Sequence, residues 1–405
     1  MPMATRMPDS AESLLQQMIG IDTTNHRPNG PPGTEDKLAD ALEELATEVG
    51  LATTRLPVPE EPHNLLVSHE VRPDAPWVLF VSHLDTVDVA GMTIDPFAGE
   101  IRDGRIYGRG ACDTKGSGAA MLWALTQYAA RQERPNNVAV LYTVNEEIRQ
   151  TGAISFVAND LPGLSWVPAG VVVGEPTGLE PVVAHNGVVR WRIRTQGVSA
   201  HSSSPERGRS AITMMVEVVR AIESQYIPHI DASHPLTGRA QCSINLIQGG
   251  SQINIIPAHC EIQVDRRTVP GEDDRQVLPT VDQILDTLRQ ADPNLQVEQD
   301  KPHIVGPLDP ATNERWAKHV CGVLDRLGLP AQPVGAKFGT EASTFARADL
   351  PALVLGPGQA AQAHTEDEWL SLDELHAACD VYLEIMKESV YPGGAPNRSC
   401  GTIPT

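Results

Sequence analysis

The spacing of apolar positions changes character along the chain. Residues 34–50, TEDKLADALEELATEVG, set Leu38, Leu42, Leu45 and Val49 on one face of a predicted helix, with acids in its first turn and Gly50 at its C-terminal cap. The stretch WVLFVSHLDT (77–86) is instead a short continuous apolar run, as expected of a strand buried on both faces. A helix is predicted from about Gly116 to Arg131, followed by strands at NVAVLYTV (137–144) and VVVGEP (171–176). This alternation predicts an α/β unit with a mostly parallel sheet covered by helices.

Near residue 186 the pattern shifts. GVVRWRIRTQG alternates as a strand and RSAITMMVEVVRAIES reads as a helix. Two strands follow, QCSINLIQGG and INIIPAHCEIQVDRR, then the helix DDRQVLPTVDQILDTLRQ and the strand NLQVEQ. The order β-α-β-β-α-β is that of a ferredoxin-like α+β sandwich. Beyond residue 301 helix and strand alternate again, in NERWAKHVCGVLDRLG and PALVLGPG. The simplest arrangement is a small domain (186–300) inserted into a larger one made of 1–185 and 301–390. The tail 391–405, YPGGAPNRSCGTIPT, is rich in Pro and Gly and is expected to be disordered.

A length of 405 residues agrees with two domains. No stretch approaches the roughly 18 apolar residues of a membrane helix. The N-terminus MPMATRMPDSAESLL lacks the apolar core of a secretory signal, so a cytoplasmic address is expected. The net charge of -21 argues against nucleic acid and anionic membranes as partners. The cysteines are scattered with no C-x-x-C pair, which fits reduced thiols rather than a zinc ribbon or a disulfide framework.

Several polar residues stand where apolar strands end. His83 and Asp85 lie two apart in SHLDT, a spacing that aims both side chains the same way. A carboxylate so placed suits the outer nitrogen of a metal-bound His, although a lone His here is also compatible with a structural role. Asp113 lies in YGRGACDTKGSGAA, between a glycine-rich turn and a helix, where it is either a ligand or an N-cap. The lysine precedes the glycine in TKGSG, so the loop has no phosphate-binding G-K-[ST] element. Glu146 and Glu147 directly follow an apolar strand, where acids are costly unless paired or solvated. Glu175 ends VVVGEP, and His364 in QAHTEDEW follows PALVLGPG. Ligands of open α/β sheets bind outside the carboxyl ends of the strands. Two histidines and three carboxylates (His83, Asp113, Glu147, Glu175, His364) form a set able to hold two divalent ions with one carboxylate shared. Such a pair binds hydroxide and polarises a carbonyl. A Ser-His-Asp hydrolase is disfavoured by the lack of G-x-S-x-G.

The motifs SHLDT, GRGACDTKG, NEE, GEPT, HSSSPERG and the final AH, in this order from about residue 11 to 390, resemble the family of co-catalytic zinc amidohydrolases and peptidases. That family includes acetylornithine deacetylase, succinyl-diaminopimelate desuccinylase, aminoacylase and carboxypeptidase-G-type enzymes. The resemblance implies a zinc-exopeptidase-like catalytic domain and an inserted lid that mediates homodimerisation. It implies two divalent metal ions, zinc foremost, with cobalt or manganese as alternatives. His83, Asp113 and Glu175 would hold one ion, and Asp113, Glu147 and His364 the other. Asp85 would orient His83, and Glu146 would be the general base. A non-proline cis peptide is implied between Asp113 and Thr114. His201, in SAHSSSPERG, would reach the partner's site to stabilise the oxyanion, while Arg266 in QVDRR and Asn254 in INIIP would contact substrate. The stretch FGTEASTFARADLPALVLGPGQAAQAHTEDEWL is most similar to acetylornithine deacetylases, although Glu175 stands where an Asp is often found. The expected substrate is therefore an N-acyl amino acid, N-acetylornithine first. Desuccinylation, broader N-acyl-amino-acid hydrolysis and cleavage of peptides as a dipeptidase or carboxypeptidase are the alternatives.

Overall fold

A computed structural model describes residues 6–25 and 34–390, so the expectation for the tail lies outside the described residues. The chain divides into two compact units. One comprises residues 1–183, 310–334 and 340–405, and the other 184–309 and 335–339.

The first unit is built on a mixed sheet whose centre is parallel. Strand Trp77–His83 pairs in parallel with Asn137–Thr143 on one side and Pro168–Val173 on the other, and Ala352–Val354 continues the parallel order beside Pro168–Val173. At the edge, Ala52–Leu56 and Asn64–His69 form an antiparallel hairpin that joins Asn137–Thr143. The central strands are buried along their whole length because both faces are covered. Val78, Phe80, Val138, Val140 and Tyr142 share a core with helices Ala11–Ile19, Lys115–Ala129, Glu314–Arg326 and Leu372–Lys387. Leu79, Val81, Ala139 and Leu141 alternate with them and are equally buried, on the opposite face. Fully burying each Val, Leu or Phe among them contributes about 1.5–3 kcal/mol. Side chains within these strands thus make the core, and the residues just past the carboxyl ends are left for chemistry.

In the second unit, strands Gly187–Gln196, Gln241–Gly249, His259–Thr268 and Gln296–Gln299 alternate with helices Ala211–Ala221 and Val277–Ala291. His259–Thr268 lies between Gln241–Gly249 and Gly187–Gln196, and Gln296–Gln299 pairs on the far side of Gly187–Gln196, all antiparallel. That is the ferredoxin-like order. The expected single strand over 253–267 is divided: Ile255–Ile256 pairs with Ala200–His201, and the long strand begins only at His259. Pro257, which has no N–H to donate to a ladder, lies at the break. No helix of the described residues is long and apolar enough to cross a membrane.

Candidate active site

His83 is the last residue of its strand and is buried. Its Nδ1 lies 2.9 Å from the backbone oxygen of Asp85 and 3.5 Å from that residue's carboxylate. A carbonyl can only accept, so Nδ1 donates and Nε2 is turned to the acids, as in a metal-ligating imidazole. That Nε2 is 2.9 Å from Asp113 Oδ1 and 3.9 Å from Glu175 Oε1. On the other side of Asp113, Oδ2 lies 3.2 Å from His364 Nε2, which is also 3.2 Å from Glu147 Oε1. The structure therefore brings all five sequence-predicted donors together, with the two oxygens of Asp113 facing the two imidazoles. Candidate ligand atoms of His83, Asp113 and Glu147 lie within 4.8 Å of one another, as do those of His83, Glu146 and Glu175.

Asp113 enters from a loop rather than a strand end, and it is not a helix cap, since the N-cap of Lys115–Ala129 is Thr114. The Asp113–Thr114 peptide is cis. Strand Arg105–Tyr107 pairs with Trp369–Ser371, which draws Glu368 alongside the loop that follows Tyr107. Fully buried, Glu368 accepts from the backbone N–H groups of Gly110 (3.1 Å), Cys112 (2.8 Å) and Asp113 (3.0 Å), and from Arg109 Nη1 (2.7 Å). The loop is tight enough that a Cβ at Gly116 would lie 2.4 Å from the carbonyl oxygen of Ala111. Glu368 is thus a positioning residue for Asp113 that motif spacing does not reveal, because the contact spans more than 250 residues.

Asp85 does more than face His83. Its carboxylate accepts from the N–H of Glu146 (3.0 Å), the N–H of Glu147 (3.1 Å) and the Asn25 side-chain amide (2.9 Å). It therefore holds the turn that presents both glutamates. Within that turn Asn145 is left-handed (φ 57), and Gln150 Nε2 donates to Glu146 Oε1 at 2.7 Å.

The electrostatics show how crowded these acids are. Burial and the Asp113 carboxylate push Glu175 well above the usual range. Burial and Glu175 do the same to Glu146, and burial and Asp113 raise Glu147. His364, hydrogen-bonded to Asp113 and Glu147, is pushed up to about 10. Glu341, sealed behind the site with Thr143 donating to it at 2.8 Å, is raised by burial to about 7. Like charges so close together favour a concentrated positive charge among them. The donor set, imidazole nitrogens and carboxylates around a shared Asp, fits a pair of borderline divalent cations.

The other predicted site residues lie in the second unit. His201 and Asn254 are exposed neighbours, joined through Ser202 N–H donating to the Asn254 carbonyl at 2.9 Å. Arg266 is buried, and its guanidinium already donates to Glu272 (2.5 Å) and to the Tyr226 hydroxyl (3.2 Å). A substrate carboxylate at Arg266 would have to compete with Glu272.

Comparison with known proteins agrees with this geometry. Residues 79–388 match the model of peptidase family M20/M25/M40. The chain belongs to this family. As an M20 member it is a hydrolase acting on amide bonds, and its cluster of histidines and acids is a candidate metal site. Among curated M20 relatives, the acetylornithine deacetylase of Photorhabdus laumondii is 32% identical over 368 residues, covering 89% of this chain and 92% of that protein. That of Myxococcus xanthus is 29% identical over 387 residues, covering 92% and 95%. A metallo-carboxypeptidase of Sulfolobus solfataricus shares the fold with TM-score 0.77 at 16% identity, covering 94% of this chain and 99% of that one. A tripeptidase of Staphylococcus aureus does so with TM-score 0.74 at 21% identity, covering 93% and 97%.

Proposed function

We propose that this chain is a two-metal N-acyl-amino-acid hydrolase whose preferred reaction is deacetylation of N-acetylornithine. The observation that carries the chemistry is Asp113, whose two oxygens face His83 at 2.9 Å and His364 at 3.2 Å. The substrate assignment is supported by relatives named acetylornithine deacetylase that align over about nine-tenths of the chain.

In this reading His83, Asp113 and Glu175 would hold one cation and Asp113, Glu147 and His364 the other, zinc foremost, with cobalt or manganese as alternatives. Such ions, when bound, acidify water and polarise the scissile carbonyl. Glu146 belongs to neither set. Its carboxylate takes a proton from the attacking water and returns it to the nitrogen of the leaving amine, so the C–N bond breaks to a carboxylate and a free amine. Asp85 fixes the backbone from which Glu146 and Glu147 project.

The homodimer belongs to the same proposal, with His201 as the oxyanion donor to the other copy and Asn254 and Arg266 as substrate contacts. Ser203 N–H donates to His201 Nδ1 at 3.2 Å, so a neutral imidazole keeps its proton on Nε2 and can donate from there. A small-molecule substrate in the cytoplasm, with neither nucleic acid nor membrane as partner, completes it.

A kinetic panel of N-acetyl amino acids and dipeptides, combined with metal analysis, tests the reading. N-acetylornithine is expected to give the highest kcat/KM, with two metals per chain. Faster turnover of dipeptides, or a single metal at full activity, would overturn it.

A further inference from the structure

Adjacent residues Glu146 and Glu147 share one backbone anchor, since both N–H groups donate to Asp85, yet their carboxylates have different partners. Glu147 faces His364, whereas Glu146 Oε1 accepts from Gln150 Nε2 at 2.7 Å. Gln150 is held firmly for this. Its backbone is left-handed (φ 55), its N–H donates to the Asn145 carbonyl at 2.7 Å, and its carbonyl accepts from Ile154 N–H at 3.1 Å. The residue is 5% exposed, and its side-chain oxygen is buried without a hydrogen-bond partner among the described residues. A buried amide oxygen left unmatched is unfavourable, so this rotamer is sustained by what the other end of the amide does. That end makes a bond to a carboxylate, the stronger kind of hydrogen bond.

We infer that Gln150 is a positioning residue that decides which of the two adjacent glutamates is the base and which the ligand. It holds one oxygen of Glu146, so the carboxylate stays near the reacting water without swinging into the ligand set that Glu147 completes. Even in the position that Gln150 holds, the Glu146 carboxylate lies within 4.8 Å of the donor atoms of His83 and Glu175, so a small rotation of an unheld carboxylate is enough to make it a ligand. A carboxylate captured by a cation is a poor proton acceptor. This inference rests on the reading of Glu146 as general base.

The test uses the full-length, metal-loaded enzyme and two variants. Gln150→Met keeps the length of the side chain but has no donor. Gln150→Asn tolerates the left-handed backbone but is one methylene too short to reach Glu146. Both are expected to lose about 10- to 100-fold in kcat, the worth of one hydrogen bond to a charged group, with KM within about twofold and metal content unchanged. Adding Gln150→Met to Glu146→Ala should cause no further loss of the residual rate. Crystals of zinc-loaded Q150M should show the Glu146 carboxylate rotated from its position, with Asp113, Glu147 and His364 unmoved. The inference is overturned by kcat near the parent's in either variant. An equal loss in the Glu146→Ala background, or an unmoved Glu146 in the zinc-loaded crystal, also overturns it. The crystal readout needs no substrate, so a failed substrate assignment and a failed role for Gln150 give different results.

Discussion

Carboxylates are handled in opposite ways in two parts of this molecule. On the sheet of the second unit and in the turn that follows it they are matched with arginines: Arg190 donates to Asp265 at 2.8 Å, Arg194 to Glu261 at 2.6 Å, and Arg266 to Glu272 at 2.5 Å. Burial pushes Asp265 up, yet Arg267 and Arg190 hold it below its usual range. At the carboxyl ends of the parallel strands the acids face one another and two histidines, and Glu146, Glu147 and Glu175 are all raised. The histidines differ in the same way. His364 is lifted to about 10 by two acids, while His185, buried in the second unit, is lowered to about 4 by its burial. Arginine pairing makes a carboxylate part of the scaffold. Leaving like charges together stores a demand for cations, which a hydrolase can use.

The largest effect is expected where that demand is used. Glu146→Gln should lower kcat by about 10²–10⁴-fold, the range for loss of a positioned general base, while both metals are retained. The same change should not weaken the metal-free fold. A carboxyl whose folded pKa is raised binds more protons folded than unfolded, so its contribution falls as pH rises above the ordinary glutamate range. At pH 8 the parent carries that penalty and the glutamine does not, so metal-free Glu146→Gln should melt no lower than the parent. A lower melting temperature would mean that Glu146 is scaffold and the contrast fails.

Arg109 and Glu368 sharpen the contrast, because they are an arginine-matched pair inside the catalytic unit, with side chains 4% and 0% exposed. The treatment of the acid, not the unit it belongs to, should decide its role. Glu368→Ala strips the acceptor from Arg109 and from three backbone N–H groups, and should cost about 3–5 kcal/mol in urea unfolding. Zinc affinity should fall with it, since the Asp113 loop loses its anchor. A variant of parental stability would remove Glu368 from the scaffold.

Glu368 also marks the limit of what is legible in the chain. The donors His83, Glu147 and Glu175 follow continuous apolar runs, so strand ends point to them directly. The division into α/β and ferredoxin-like parts follows from the same change of period. Glu368 sits in the polar run HTEDEW, where nothing distinguishes it from its neighbours, and its partners are brought to it by strand pairing across the fold. Asn25, whose amide reaches Asp85 sixty residues away, is equally silent. Gln150 is hidden for another reason, because a left-handed glutamine has no sequence signature. The strand expected over 253–267 fails at Pro257, which reads as a breaker only once the ladder partners of Ile255 and His259 are known to differ.

His185 should show itself only in acid. Its folded pKa of about 4 lies below the ordinary histidine value of about 6.5, so the unfolded chain binds the proton first. Stability is then intact above about pH 6.5 and is lost as pH falls towards 4, by at most about 3 kcal/mol. His185→Gln should flatten this slope in urea titrations between pH 4 and 7 and change little at pH 8. An unchanged slope would place the acid sensitivity elsewhere.

The smallest effect is expected on the arginine-matched sheet. Arg194 donates to Glu261 and also pairs with Asp300, but the three side chains are 38%, 22% and 33% exposed, so water already solvates each charge. Such pairs contribute about 1 kcal/mol or less. Arg194→Ala should therefore cost no more than that in urea, and raising the salt to 1 M should shrink the cost further, because the screening length falls to about 3 Å. Neither kcat nor metal content should change. A cost several times larger, insensitive to salt, would show that these acids are held as tightly as Glu368. Pairing on an open sheet and pairing in the catalytic unit would then no longer be distinct uses of arginine.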